Sequence, residues 1–142
     1  MTAQRHSVSV AAAIVREDNR VLLIRRADNG HWEPPGGVLE LDEPIEAGLA
    51  REVAEETGLS IEVETLSGVY KNIARGIVAL VFRCHATSTY LADNDEVSTF
   101  HWATDEELDS LMDPAYAVRA RDAIRYTGTP AIRTHDGVSL VA

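Results

Sequence analysis

Apolar positions along the chain gather into short runs separated by polar turns. Ser7 to Val15 is a segment of small and β-branched residues, followed by the turn signal Glu17-Asp18-Asn19 and a second apolar run, Val21 to Ile24. Runs of this length and composition predict two strands, and the turn between them predicts a hairpin. Arg25 to Gly37 interrupts the pattern with two prolines and three glycines in thirteen residues, which predicts a loop rather than continuous regular structure.

From Pro44 to Thr57 the period becomes helical, with Asp42 placed to cap the start, Pro44 tolerated in the first turn and Gly58 placed to end it. Ser60 to Val69, Ile77 to Cys84 and Thr99 to Trp102 return to strand patterns. Thr104 to Leu111 opens with the capping-box sequence Thr104-Asp105-Glu106-Glu107, and Pro114 to Arg125 reads as a further helix. Thr127 to Ala142 carries enough Gly, Pro and Thr for loop or edge structure. The order β, β, α, β, β, β, α, α, without repeat or linker, predicts one mixed α/β domain over residues 1–142.

Composition adds exclusions. A chain of 142 residues, 45% apolar and 25% charged, is long enough to bury its own core and too apolar for disorder. The net charge of -10 disfavours nucleic acid and anionic membranes as partners, yet admits a small phosphorylated substrate if a divalent cation bridges carboxylates and phosphates. Cys84 is the single cysteine, so neither an intrachain disulfide nor a cysteine-based zinc cluster is available, and a cytoplasmic location is the simpler expectation. The apolar stretch Val8 to Val15 is too short to span a bilayer, and no export signal is visible.

On a helical wheel at roughly 100° per residue, Glu52, Glu55 and Glu56 fall on one face, while Leu49, Ala50, Val53 and Ala54 occupy a sector suited to packing on a sheet. An acidic face is ordinarily solvated. Here like charges at i,i+3 and i,i+4 repel, and Glu55 and Glu56 sit where the helix dipole also disfavours anions, two penalties that a bound cation would reverse. Oxygen ligands suit Mg²⁺ rather than zinc, and Gly36 and Gly37 offer a backbone carbonyl and a close approach for phosphate.

Residues 37–59, GVLELDEPIEAGLAREVAEETGL, resemble the Nudix box, with Gly37, Glu43, Arg51, Glu52, Val53, Glu55, Glu56, Gly58 and Leu59 at its defined positions. Upstream, Leu22 to Arg26 and Trp32-Glu33-Pro34-Pro35-Gly36-Gly37 are similar to the strand and loop preceding the box. Downstream, Glu96, Trp102 and Asp105 to Leu108 are more loosely similar to that family. The resemblance implies a Nudix α/β/α sandwich with a mixed sheet, and Mg²⁺- or Mn²⁺-dependent hydrolysis of the pyrophosphate bond in a nucleoside diphosphate derivative. It implies Glu52, Glu55, Glu56 and the Gly37 carbonyl as metal ligands, with Glu52 or Glu96 as general base. Arg51 is expected to orient a glutamate, Glu43 to cap the helix or bind metal through water, and Gly58 to provide a left-handed C-cap.

Arg26 is the choice for a phosphate contact, with Gly36 and Gly37 beside it. Trp32 offers a stacking face or, more commonly for such a loop, an anchor on the core; Tyr70, Lys71 and Arg75 are further candidates to line a cleft. The five histidines contain no i,i+4 pair and are expected at the surface, and Cys84 is expected in the core. Nucleoside triphosphates, oxidised ones included, are the favoured substrates because family members acting on ADP-ribose often have extra N-terminal segments. ADP-ribose or a nucleotide sugar is the alternative, and a non-catalytic nucleotide-binding regulatory module a third reading. A monomer or a homodimer is expected.

Overall fold

The first strand, β1 (Ser7–Ile14), buries both of its faces, and this determines the layering. Val10, Ala12 and Ile14 pack into one apolar cluster and Ala13 into a second, on the opposite side of the sheet. Ala12 on one face and Ala13 on the other let a helix approach each side closely. The computed structural model describes residues 4–141.

After β1 come β2 (Val21–Arg26), β3 (Trp32–Glu33), β4 (Gly36–Val38), α1 (Ile45–Thr57), β5 (Ile61–Asn72), β6 (Ile77–Ala86) and β7 (Val97–Ala103). A 3₁₀ turn at Asp105–Glu107 runs into α2 (Leu108–Leu111), followed by α3 (Pro114–Ile124), β8 (Ala131–His135) and β9 (Leu140–Val141). Six strands form a sheet in the order β4-β1-β6-β5-β8-β9, and β3-β2-β7 form a smaller antiparallel sheet. The β1–β6 and β5–β8 pairs are parallel and their neighbours antiparallel, so the larger sheet is mixed.

Leu49 and Val53 of α1 pack with Val10, Ala12, Ile14, Leu22 and Cys84 on one face. Ala117, Ala120 and Ala123 of α3 pack with Ala13, Tyr70, Ala79 and Val81 on the other. The α/β/α sandwich expected from the sequence is present. No helix among the described residues is long and apolar enough to cross a membrane.

Several local expectations are corrected. The 16–20 turn closes, with Arg16 N–H donating to Arg20 O at 2.8 Å, but β1 and β2 share only the bridge Val15–Val21 before diverging into different sheets. Asp42 does not cap α1; Pro44 is the N-cap residue, with φ -60 and ψ 149. The segment expected to be loop holds β3 and β4. Part of the C-terminal tail, β8, lies inside the sheet because its parallel pairing with β5 satisfies its backbone. Tyr70 is fully buried rather than lining a cleft, its hydroxyl donating to Asp122 at 2.7 Å. His135 is likewise buried rather than superficial, held by Gly137 N–H at 3.0 Å and by the Arg119 guanidinium at 2.9 Å.

Gly58 ends α1 in the left-handed region at φ 77, and its N–H donates to Ala54 O. A Cβ there would lie 2.7 Å from that of Ala92, in the chain that passes over the helix end. Gly58→Ala is therefore expected to lower unfolding stability by about 1–2 kcal/mol through backbone strain and this clash. Urea denaturation measures it, and an unchanged midpoint would contradict the assignment.

Candidate active site

Packing Leu49 and Val53 into the sheet turns Glu52 and Glu56 of α1 toward β4. Gly36 N–H donates to Glu56 Oε1 at 2.7 Å, and a Cβ on Gly37 would sit 2.5 Å from the Glu52 carboxyl carbon. Glycine is thus required at 37 for the helix carboxylate to lie against the strand. The bonds Ala12 N–H to Pro35 O and Leu39 N–H to Val8 O fix the phase of the β1–β4 ladder. Hydrogen-bonded pairs alternate in an antiparallel ladder, so Gly37, opposite Val10, turns its carbonyl to β1. The carbonyl left on the Glu56 side is that of Gly36. A carbonyl ligand on this side of the strand would therefore be that of Gly36, one residue before the Gly37 expected from the sequence.

Glu56 is only 6% exposed, and burial pushes its carboxyl up to about 7; the Gly36 N–H opposes this, and the nearby charges of Glu33, Glu52 and Glu96 add to it. Burial also raises Glu52, against the pull of Arg51. Arg51 forms a bidentate pair with Glu43, at 2.9 and 2.7 Å, and donates to Glu52 Oε1 at 2.9 Å. The guanidinium holds Glu43 down to about 2, so Glu43 is a charged partner for Arg51 rather than a helix cap. Glu55 is half exposed and 3.4 Å from Arg51.

A cavity of about 330 Å³ is bounded by Arg26, Gly36, Glu52, Glu56, Asp95 and Glu96. Glu96 reaches it because Asn94 fastens its loop: the amide donates to Glu56 O at 2.8 Å, and its oxygen accepts from Glu96 N–H at 2.9 Å. Arg26 is paired with Asp28 at 2.7 Å and Glu33 at 3.4 Å. Arg25 instead turns away, donating to Gly30 O at 3.1 Å. Asp95 and Asn94 escaped the sequence reading, and Glu33 entered it only as part of the loop before the box, with no site role. Glu33 sits between two flagged residues, Trp32 and Pro34, but a carboxylate in a loop carries no periodic signal.

A wider cleft of about 710 Å³ shares Arg26 with this cavity and is bounded elsewhere by Trp32, Glu33, Arg75 and Tyr116. Arg75 therefore reaches a cleft, whereas Lys71 borders neither space.

The donors suit a hard divalent cation: a buried carboxylate whose protein partner is one N–H, a second carboxylate in a glycine cradle, and an outward carbonyl. Among the described residues no three carboxylate, imidazole or thiolate groups converge into a closed cage. An open set that water and phosphate oxygens complete is the arrangement Mg²⁺ favours.

The NUDIX domain family matches residues 5–126 of the chain. The protein belongs to the Nudix family. A MutT-like protein of Streptomyces ambofaciens is 55% identical over 136 residues, covering 96% of this chain and 88% of that protein. An ADP-ribose pyrophosphatase of Methanocaldococcus jannaschii is 37% identical over 84 residues, covering 54% of this chain and 50% of its own. The nucleoside triphosphatase NudI of Salmonella agona is 29% identical over 135 residues, covering 82% of this chain and 95% of its own. This Nudix protein is a pyrophosphohydrolase; Nudix enzymes act on small-molecule nucleotide substrates and generally use divalent metal ions.

The folded state holds the Glu56 proton to about 7, above the ordinary carboxylate value of 4.5. Without metal, this group's contribution to stability is complete below pH 4.5 and is lost as pH rises through 7. Glu56→Gln keeps an acceptor for Gly36 N–H and removes the charge. It should stabilise the metal-free protein by about 2 kcal/mol at pH 8 and leave it unchanged at pH 4.5. Equal effects at both values in thermal denaturation would show that Glu56 is not a strained anion.

Proposed function

We propose that this Nudix hydrolase cleaves a nucleoside triphosphate, including oxidised forms, to the monophosphate and pyrophosphate, with Mg²⁺ or Mn²⁺ as its ion. The observation that carries the reading is the pairing of two carboxylates of α1 with the Gly36–Gly37 strand, opposite Arg26 and Glu96, in one cavity. The choice of triphosphate is supported by the Salmonella relative, which bears that name and aligns over 95% of its own length, against 50% for the ADP-ribose pyrophosphatase.

Glu52, Glu55, Glu56 and the Gly36 carbonyl would hold the ion. Bound there, it would neutralise phosphate charge and lower the pKa of a coordinated water. Arg26 contacts a phosphate across the cavity, exchanging part of its pairing with Asp28 and Glu33 for the substrate. Gly36 and Gly37 lack side chains that would keep a phosphate away. Arg51 carries no substrate contact; anchored on Glu43, it fixes the Glu52 carboxylate in the glycine cradle.

A water proton passes to a carboxylate as the water oxygen bonds to phosphorus and the bridging P–O bond breaks, its electrons leaving on pyrophosphate. Glu52 is our first choice as acceptor and Glu96, the exposed carboxylate on the facing loop, the second. Removing a general base typically lowers the rate by about 10²–10⁴-fold.

A panel of nucleoside triphosphates, ADP-ribose, NADH and nucleotide sugars, with Mg²⁺ or Mn²⁺ and product separation, tests the reading. Pyrophosphate release from a triphosphate, abolished by chelator, is expected. Glu52→Gln should lower kcat by at least about 10²-fold and Glu96→Gln by less; the reverse order moves the base to Glu96. Turnover of ADP-ribose or a nucleotide sugar in place of every triphosphate would overturn the substrate assignment.

A further inference from the structure

Of the carboxylates around the metal cavity, Glu52 is held by Arg51 and Glu56 by the Gly36 N–H. Among the described residues the Glu96 carboxylate accepts no hydrogen bond, so its backbone alone determines where it points. That backbone belongs to an irregular loop, 87–96, between β6 and β7. The last carbonyls of a helix lack partners within it, and the loop takes two of those that end α1. Ala92 N–H donates to Thr57 O at 2.9 Å, and Asn94 Nδ2 donates to Glu56 O at 2.8 Å.

The other end of the same amide faces the opposite way along the chain. Asn94 Oδ1 accepts from Glu96 N–H at 2.9 Å and from Val97 N–H at 3.1 Å. With donors on one side and an acceptor on the other, the amide orientation is determined. Beyond Glu96 the β2–β7 ladder slips by one residue: Thr99 lies opposite Arg25 and Val97 opposite Arg26, which leaves Ser98 as a bulge. An extra residue shifts the alternation of the side chains before it. Val97 is thereby buried, and Glu96 O accepts from Ala27 N–H at 2.9 Å, next to Arg26. Glu96 is clamped between Asn94 and the bulge.

We propose that Asn94 is a positioning residue for pyrophosphate cleavage and acts through Glu96: by tying the last turn of α1 to the loop, it sets where the Glu96 carboxylate stands relative to Glu52 and Glu56. The assignment rests on the role given to Glu96 above and deepens it. One side chain joins the backbone of a carboxylate on the helix to that of a carboxylate on the facing loop. Aspartate in its place would keep the acceptor and lose the donor to Glu56 O, and alanine would lose both.

Amide hydrogen exchange in the metal-free protein reads the clamp without catalysis. Asn94→Ala should speed exchange at Glu96 and Val97 by about tenfold or more and leave Leu49 and Val53, in the middle of α1, unchanged. Steady-state kinetics read its use. Asn94→Ala and Asn94→Asp should each lower kcat about tenfold and change KM by less than about twofold, since a displaced reacting group slows chemistry more than it weakens binding. In a Glu96→Gln background the same substitutions should cost nothing further, whereas a merely structural role would multiply with Glu96→Gln. Ser88→Ala removes the bond that Ser60 N–H makes to the other end of the loop at 2.9 Å and should leave kcat unchanged.

Unchanged exchange at Glu96, multiplicative effects on kcat, wild-type kcat in Asn94→Asp, a Ser88→Ala loss as large as that of Asn94→Ala, or a Glu96→Gln protein as active as the wild type would each overturn the proposal. The kinetic cycle uses GTP, or the panel member turned over in its place. A wrong triphosphate assignment therefore shows as a change of substrate and leaves the coupling between Asn94 and Glu96 measurable.

Discussion

A carboxylate that is 6% exposed, with one backbone N–H for a partner, sets the terms for the rest of the site. An anion withdrawn from water without a counter-charge is costly, and Glu56 meets this by holding its proton to about 7. Glu52 next to it is partly relieved by Arg51, whose charge is shared with Glu43. The helix thus carries one carboxylate tied to an arginine and one left for something else to neutralise. A divalent cation with phosphate oxygens in its outer positions is the species that removes the deficit without adding bulk.

The fold positions this deficit through packing. Leu49 and Val53 anchor α1 on β1 beside the sheet edge, where Ala12 leaves room, so the helix comes close enough that a Cβ on Gly37 would overlap the Glu52 carboxylate. Asn94 then joins the end of the helix to the loop bearing Glu96, and the backbone of Glu96 accepts from Ala27 N–H at 2.9 Å, close to Arg26. Cation, anion and glycine strand are therefore held by three separate chain segments around one cavity. Flexing any one of them alters the distances at which phosphate would be gripped.

Much of this was legible in the sequence, because the box compresses it into 23 consecutive residues, 37–59. The spacing of Arg51, Glu52, Glu55 and Glu56 is a helical spacing, and Gly58 is a helix stop that any turn of this kind needs. What escaped depended on partners distant along the chain. The choice between the Gly36 and Gly37 carbonyls is decided by the ladder phase against β1, which spacing alone does not encode. The burial of His135 and Tyr70 follows from the parallel pairing of β8 with β5 and from Asp122 on α3, contacts between segments 50 or more residues apart in the case of Tyr70 and Asp122. Glu33 and Asp95 carry no periodic signal, and only the closure of the loops around Arg26 brings them near the site.

The central claim is that Glu56, Glu52 and the Gly36 carbonyl together bind the ion. Crystals grown with Mn²⁺ and measured for anomalous scattering test it most directly. The account predicts an anomalous peak at about 2.0–2.3 Å from the Gly36 oxygen and from a Glu56 carboxylate oxygen, with Glu52 in the same coordination sphere. A peak on the Gly37 oxygen, or one outside this cavity with Glu56 still bound only to the Gly36 N–H, would contradict it.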